Sequence, residues 1–265
     1  MTKATTKKKL AVLGNGFLAG IIVEAYNKGL LEEYELTGIL GRTKEKTEAL
    51  AEKGGCRPCS TLEELLEDKP DYVAEAASVK AVQDYGMKIL SGGADMILLS
   101  IGALADETFY RKISECAKEN GRKIHIASGA IGGFDVLRTI SLMGQAQTSF
   151  RTKKGSKSLL GTPLFEESLM TDREEKQVFH GSAKEAISIL PTKVNVAIAA
   201  SLASSGPENV DMSIFSVPEM VGDDHKITAQ IPGVKADLDI YSSTSAIAGW
   251  SVVAVLKNLV SPVVF

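Results

Sequence analysis

Residues 9–13 (KLAVL) form a short apolar run that stops at a glycine. Runs of this length bounded by turn residues read as buried strands. The pattern returns at 35–40 (ELTGIL), 71–75 (DYVAE), 96–99 (MILL) and 123–127 (KIHIA). Between these runs the apolar residues recur at helical spacing, which predicts helices over 17–28, 44–53, 79–90 and 106–118. A shorter helix, 62–66, takes Ser60 as its predicted cap, with Glu63 in the capping-box position. Strands alternating with helices predict a parallel, doubly wound α/β sheet.

Past residue 127 the rhythm changes. A helix is predicted from Phe134, and 148–153 (TSFRTK) alternates like a strand. The basic stretch 153–157 reads as a flexible loop tip. A short helix over 183–190 stops at Pro191, and 194–203 reads as an apolar helix rich in small residues. Strands are predicted at 210–217, 225–231 and 235–241, followed by a closing helix over 246–257. In the strand HKITAQI, Lys226, Thr228 and Gln230 take one face, and His225, Ile227, Ala229 and Ile231 the other. The second half therefore predicts an α/β domain with an open, mainly antiparallel sheet. The expected boundaries are a nucleotide-binding domain over 1–128, a substrate and dimerisation domain over 129–245, and a C-terminal helix over 246–265 that packs back on the first domain. The open face of the second sheet suits subunit pairing, so a homodimer is expected.

Composition narrows the function. The chain has 265 residues, enough for one or two domains with a substantial core. Its net charge of -3 gives no global electrostatic case for nucleic acid or an anionic membrane. The opening MTKATTKKK followed by LAVLGNGFLAGII imitates a secretion signal, but glycines interrupt the apolar run and no small-residue cleavage site closes it. No stretch approaches the ~20 apolar residues of a spanning helix. Cys56 and Cys59 have redox or zinc half-site spacing without a second pair, so two thiols in a short connecting strand is the favoured reading. With Cys116 they make an odd set, which points to a reducing, cytoplasmic compartment.

The turn after the first strand, GNGFLA, matches G-x-G-x-x-G/A with Ala19 in the third position. Gly14 permits the tight turn, Gly16 lets backbone approach a pyrophosphate, and Ala19 lets the helix pack close to the sheet. Asn15, Phe17 and Leu18 complete the phosphate-binding turn at a helix N-terminus. Placed between the first strand and first helix of a strand–helix series, it predicts a Rossmann dinucleotide site. The second strand ends in Gly41-Arg42-Thr43, without the acidic residue that commonly takes the ribose hydroxyls. Arg42, helped by Thr43, suits a 2′-phosphate instead, so NADP is slightly favoured over NAD. Asn195, the polar residue near the start of an apolar helix, is placed to cap it or to offer an amide to a ligand.

Seven pieces in order along the chain resemble the L-aspartate dehydrogenase family: GNGFLAG, AEAAS at 74–78, LLSIGAL at 98–104, SGAIGGFD at 128–135, FHGSAKEAI at 179–187, LPTKVNVAIAASLA at 190–203, and the lone-histidine strand at 225. The resemblance implies NAD(P)-dependent oxidative deamination of L-aspartate, giving iminosuccinate and then oxaloacetate and ammonia. It implies a catalytic role for His225 and cofactor contacts at Ala77, Ser78, Ser100, Ala130 and Asn195. Substrate contacts are expected at Ser128, Gly129, Lys193, Ser243 and Thr244. The chain departs from the family at Lys193, where asparagine is usual, and at 241–245, where YSSTS replaces a lysine-bearing N-P-K-T-S run. The charge for a substrate carboxylate then comes from Lys193 or from a residue the sequence does not place. His125, in an apolar strand, reads as a satisfied core histidine, and His180 as a capping or surface residue. The alternatives are an NADP-dependent oxidoreductase for another small amino or oxo acid, and a dinucleotide-binding regulator without turnover.

Overall fold

The computed structural model describes residues 6–190 and 195–265. The first half contains β1 (Lys8–Leu13), α1 (Phe17–Asn27), β2 (Tyr34–Leu40), α2 (Lys44–Gly54), β3 (Arg57–Cys59), α3 (Leu62–Glu67), β4 (Tyr72–Glu75), α4 (Val79–Ser91), β5 (Asp95–Leu98), α5 (Glu107–Glu119) and β6 (Ile124–Ile126). The second half contains α6 (Phe134–Met143), β7 (Gln147–Gly155), β8 (Lys176–Ser182), α7 (Ala183–Ile189), α8 (Asn195–Ala203), β9 (Val210–Val217), β10 (Asp223–Ile231), β11 (Val234–Ser242) and α9 (Ala246–Val260). Contacts divide the chain into two compact units, residues 1–129 with 246–265, and residues 130–245.

In the first unit six strands pair in parallel in the order β3-β2-β1-β4-β5-β6. Their near-continuous apolar character follows from burial on both faces: Leu10, Val12, Ile39, Val73 and Ile97 are fully buried. The strand order reverses between β1 and β4, the point at which sheets of this kind bind ligands. Helix α9 belongs to this unit. Its Val252 and Leu256 are fully buried in the same core as Ile22 and Tyr34, and the Tyr34 hydroxyl donates to the Leu256 carbonyl at 2.6 Å. Gly249 is required there, because a Cβ would fall 2.7 Å from Ile21 Cδ1.

Helix α3 begins at Leu62 as expected, but it is capped one residue later than expected. Thr61, not Ser60, is the extended N-cap, and its hydroxyl accepts from the Glu64 amide at 3.2 Å. Glu64, not Glu63, stands three residues on, and its carboxylate accepts from the Ser60 amide at 2.6 Å. The string STLEE offers cap and partner in two adjacent registers, and Leu62 and Leu65 are buried in this one. Cys59 lies in the short strand β3. Burial pushes the Cys56 thiol up to about 11, with Cys59 adding to it, so this is not a reactive thiolate.

The second unit has a five-stranded sheet in the order β11-β10-β7-β9-β8, with β7 and β9 parallel and the other pairs antiparallel. On its three central strands burial alternates. Phe150, Thr152 and Lys154 on β7, Met212 and Ile214 on β9, and His225, Ile227 and Ala229 on β10 all face inward, and α6 and α7 pack against this sheet. The other face is polar. Arg151 and Lys153 both pair with Glu175, at 2.7 and 2.6 Å, and the Arg151 guanidinium lies 4.2 Å from the centre of the Phe215 ring.

Two expectations are corrected here. The basic stretch 153–157 is not a loop tip: β7 continues through Lys154, paired on both sides, to Gly155, paired with β9. An edge strand, β8, occupies 176–182, where no element is expected. Its residues are intermediate or exposed, so no alternation marks it.

Candidate active site

In the first unit the candidate residues begin at the turn between β1 and α1. Gly14 has φ +134°, and a Cβ there would fall 2.4 Å from the Ala76 carbonyl oxygen, so only glycine fits. This close approach joins the ends of β1 and β4 across the switch point. Gly16 is different. It is exposed, and a Cβ added to it would meet nothing within 4 Å. The space it leaves opens at the start of α1, where no side chain caps the helix and the first turn carries no acid. An uncapped N-terminus with a bare backbone approach fits a dinucleotide pyrophosphate. Ala19 is fully buried beneath it, while Phe17 is exposed and Leu18 half-buried.

Asn15 fixes what stands beside this turn. Its side-chain amide donates to the Thr43 carbonyl at 2.8 Å and to the Thr47 hydroxyl at 2.9 Å. A Cβ on Gly41 would lie 2.3 Å from Asn15 Cγ. The absence of an acid at the end of β2 thus has a steric reason, since Asn15 fills that place. Arg42 follows and is exposed, and Thr43 is the extended N-cap of α2.

At the ends of β4 and β5, Glu75 organises two of the expected cofactor positions. It is fully buried. Its carboxyl accepts from the amides of Ala77 at 2.8 Å, Leu99 at 3.2 Å and Ser100 at 2.8 Å, and from the Ser100 hydroxyl at 2.7 Å. Burial pushes its pKa up, and these four donors oppose the rise. The Ser100 hydroxyl is therefore engaged within the protein. The Ser78 hydroxyl is engaged too, capping α4 by accepting from the Ala81 amide at 3.1 Å. Within AEAAS the sequence alone does not single out Glu75. The signal was there, since a carboxylate ending a buried parallel strand needs donors.

In the second unit, His225 is 1% exposed on the inner face of β10. Its Nδ1 lies 2.9 Å from Thr152 Oγ1, and the Phe150 ring is 5.7 Å away, centre to centre. Burial pushes the imidazole down to about 4, with the Lys154 ammonium acting in the same direction and Asp223 against it. The ring is neutral at neutral pH. Lys154 lies on the same face, its side chain 7% exposed, and its ammonium pairs with Asp223 at 2.8 Å. The other histidines lie elsewhere. His125 Nε2 is 3.3 Å from Asp95 at the edge of the parallel sheet. His180 is exposed on β8, its Nδ1 3.2 Å from the Ser213 hydroxyl.

The sequence is 36% identical to an L-aspartate dehydrogenase of Methanococcus maripaludis, over 96% of this chain and 98% of that one. The chain belongs to the L-aspartate dehydrogenase family. An L-aspartate dehydrogenase of Methanocaldococcus jannaschii is 28% identical over the same shares. The fold resembles the crystal structure of an aspartate dehydrogenase from Thermotoga maritima, with a TM-score of 0.76, 26% identity, and coverage of 97% of this chain and 99% of that one. A model of the aspartate dehydrogenase C-terminal region matches residues 135–259, and a model of the homoserine dehydrogenase NAD-binding domain matches residues 14–127. The first unit is thus the dinucleotide-binding domain of an aspartate dehydrogenase family oxidoreductase.

The remaining expected positions fall as follows in this member of the aspartate dehydrogenase family. Ser128 is half-buried after β6, and Gly129 is buried, its amide donating to the Ser251 hydroxyl at 3.0 Å. Ala130 opens the second unit, and Asn195 is the first residue of α8. Ser243 and Thr244 are exposed in a turn closed by Ser242, whose hydroxyl donates to the Thr244 carbonyl at 2.6 Å. Lys193 lies outside the described residues. A cavity of about 720 Å³ in the second unit is lined by Ser156, Arg173, Glu219 and Met220 among others, and neither His225 nor Lys154 lines it.

Proposed function

We propose that the protein catalyses the reversible NAD(P)-dependent oxidative deamination of L-aspartate to iminosuccinate, which hydrolyses to oxaloacetate and ammonia. The observation that carries this reading is the match to L-aspartate dehydrogenases along 96% of the chain. When bound, the nicotinamide supplies the redox chemistry by accepting hydride from the amine-bearing carbon. The chain's residues bind, orient and handle protons. Gly14, Asn15, Gly16, Phe17 and Leu18 shape the pyrophosphate site at the start of α1. Arg42 and Thr43 take the 2′-phosphate, so NADP is preferred or tolerated. Ala77, Ser78, Ser100, Ala130 and Asn195 contact the cofactor. The Ser100 hydroxyl donates its hydrogen to Glu75, whereas Ser78 only accepts in its cap and keeps its hydrogen to donate.

His225 is the base. To accept a proton on Nε2 the ring must carry hydrogen on Nδ1, and Thr152 Oγ1 at 2.9 Å can accept that hydrogen. A ring depressed to about 4 is a weak base at neutral pH. Aspartate brings two carboxylates, and negative charge beside the ring raises it towards the working range. The same imidazole then activates water for imine hydrolysis. Ser128, Gly129, Lys193, Ser243 and Thr244 are proposed substrate contacts. The polar, ion-paired face of the second sheet supports pairing of two copies. Three free thiols support a cytoplasmic setting, and among the described residues no helix is long and apolar enough to cross a membrane.

The YSSTS run, which lacks the family's lysine, favours a second reading, turnover of another small amino or oxo acid. Reduction of oxaloacetate plus ammonia with NADPH and NADH, beside a panel of other oxo acids, separates the readings. Turnover only with another acid selects the second. Cofactor binding without any turnover overturns both and leaves a regulator.

A further inference from the structure

The charge that a dicarboxylate substrate requires is missing from the turn before α9, yet a buried cation stands beside the histidine. Lys154 occupies an inward position of β7, two residues beyond Thr152 and four beyond Phe150, on the same face as both. Across the ladder Thr152 opposes His225 and Lys154 opposes Asp223. Lys154 is therefore the diagonal neighbour of His225 on one face of an antiparallel pair, within reach of a long side chain. A position that only had to pack would hold an apolar residue, as Phe150 does. Burying an ammonium costs several kcal/mol unless it is paired. The pairing is one-sided in exposure: the Lys154 side chain is 7% exposed, that of Asp223 37%. An ammonium has three donors, and Asp223 holds it from the solvent side.

We propose that Lys154 binds a carboxylate of the substrate, with Asp223 holding the ammonium in place on the inner face beside His225. This rests on the amino-acid dehydrogenase reading above and names the residue that supplies the charge absent from 241–245. The register places cation and imidazole at neighbouring positions, so one small acid can meet both with its carboxylate and its amine. The arrangement also joins recognition to proton transfer. Burial and the Lys154 ammonium hold the imidazole down, against Asp223; a carboxylate bound to that ammonium brings further negative charge beside the ring, so the base strengthens when the correct substrate is seated.

The test uses the full-length protein as wild type, Lys154→Met, Lys154→Arg, and the double variant Lys154→Met/Asp223→Asn. A hydrogen bond between charged groups is worth about 1.5–3 kcal/mol, which is roughly a 10- to 100-fold change in affinity. Lys154→Met is expected to raise KM for L-aspartate by that factor while the dissociation constant for NADPH, measured by fluorescence, stays within about twofold. Lys154→Arg recovers part of the loss. The double variant, which leaves no unpaired acid, stays as impaired as the single one. A KM within about twofold of wild type in Lys154→Met, or a wild-type KM in the double variant, overturns the proposal and leaves a structural ion pair. Succinate, a dicarboxylate without an amine, gives a readout independent of turnover. It should raise the melting temperature of the wild type and not that of Lys154→Met. An equal rise in both proteins, or none in the wild type, overturns the carboxylate site. If the wild type fails to turn over aspartate, the activity reading falls, and the succinate shift still decides the role of Lys154.

Discussion

Thr152 and His225 face each other across the β7–β10 ladder, both about 1% exposed, with Oγ1 and Nδ1 2.9 Å apart. A hydroxyl can donate or accept, so Thr152 suits either tautomer, but it leaves Nε2 as the proton acceptor only when it accepts. Thr152→Val keeps the shape and removes the acceptor. We expect kcat to fall on the order of tenfold with cofactor affinity unchanged, and Thr152→Ser to retain most of the rate. Valine with full kcat would separate this contact from catalysis.

His225→Ala is expected to fold, bind NADPH and lose about 10²–10⁴-fold in turnover, the usual contribution of an acid–base group. His125→Gln and His180→Gln, whose partners lie elsewhere, should keep their rates. Melting temperature, NADPH affinity and steady-state rate measured on one preparation decide the matter. Near-full activity in His225→Ala would mean that the buried ring only packs.

The same ring predicts a pH dependence of stability. Its ordinary value is 6.5 and its folded value about 4. Between these limits the unfolded chain binds a proton that the folded chain does not, so stability rises with pH in this window. The contribution is complete above about 6.5 and is lost as pH falls towards 4, with a ceiling of about 3 kcal/mol. Denaturant unfolding from pH 4 to 8 should therefore show a steeper acid-side loss in wild type than in His225→Gln. Parallel curves would argue against a buried neutral imidazole.

The two turn glycines should fail in opposite ways. Gly16→Val points into open space, so the melting temperature should stay near wild type while both NADP and NAD bind at least about tenfold more weakly, because the new side chain blocks the pyrophosphate. Gly14→Ala drives a Cβ to 2.4 Å from the Ala76 carbonyl oxygen at φ +134°, so it should lower stability before any ligand is added. Unchanged cofactor affinity in Gly16→Val would remove this turn from the binding site.

Arg42→Asp removes the cation proposed for the 2′-phosphate and adds a like charge. NADP affinity should fall about tenfold or more while NAD affinity holds or improves. Equal NADP affinity in the two proteins, by titration, would dismiss Arg42.

The parallel sheet was readable because every strand but β3, Arg57–Cys59, is a short apolar run and the connections carry helical spacing or a cap. The inward parity of His225 was readable because β10 alternates strictly. Lys154 was not, since a run of lysines resembles a solvated loop. Only the register of β7 against both β10 and β9 shows that Lys154 is a ladder residue and continues the inward parity of Phe150 and Thr152. Strand β8 escaped because none of its residues is buried and its exposure does not alternate, unlike that of the other edge strand, β11. The role of Asn15 was hidden for another reason: it touches Gly41 and Thr43, near neighbours only once β1 and β2 pair.

Helix α9 completes the first unit although it is the last element of the chain. Tyr34 finds its hydrogen-bond partner 222 residues later, at Leu256. On a ribosome the dinucleotide-binding core therefore waits, with Ile22, Tyr34 and the rest of that apolar face uncovered, until the whole inserted unit has been made. Residues 130–245 are contiguous and can mature first. The apolar face that α9 covers is thus the last of the first unit's core to be closed during synthesis.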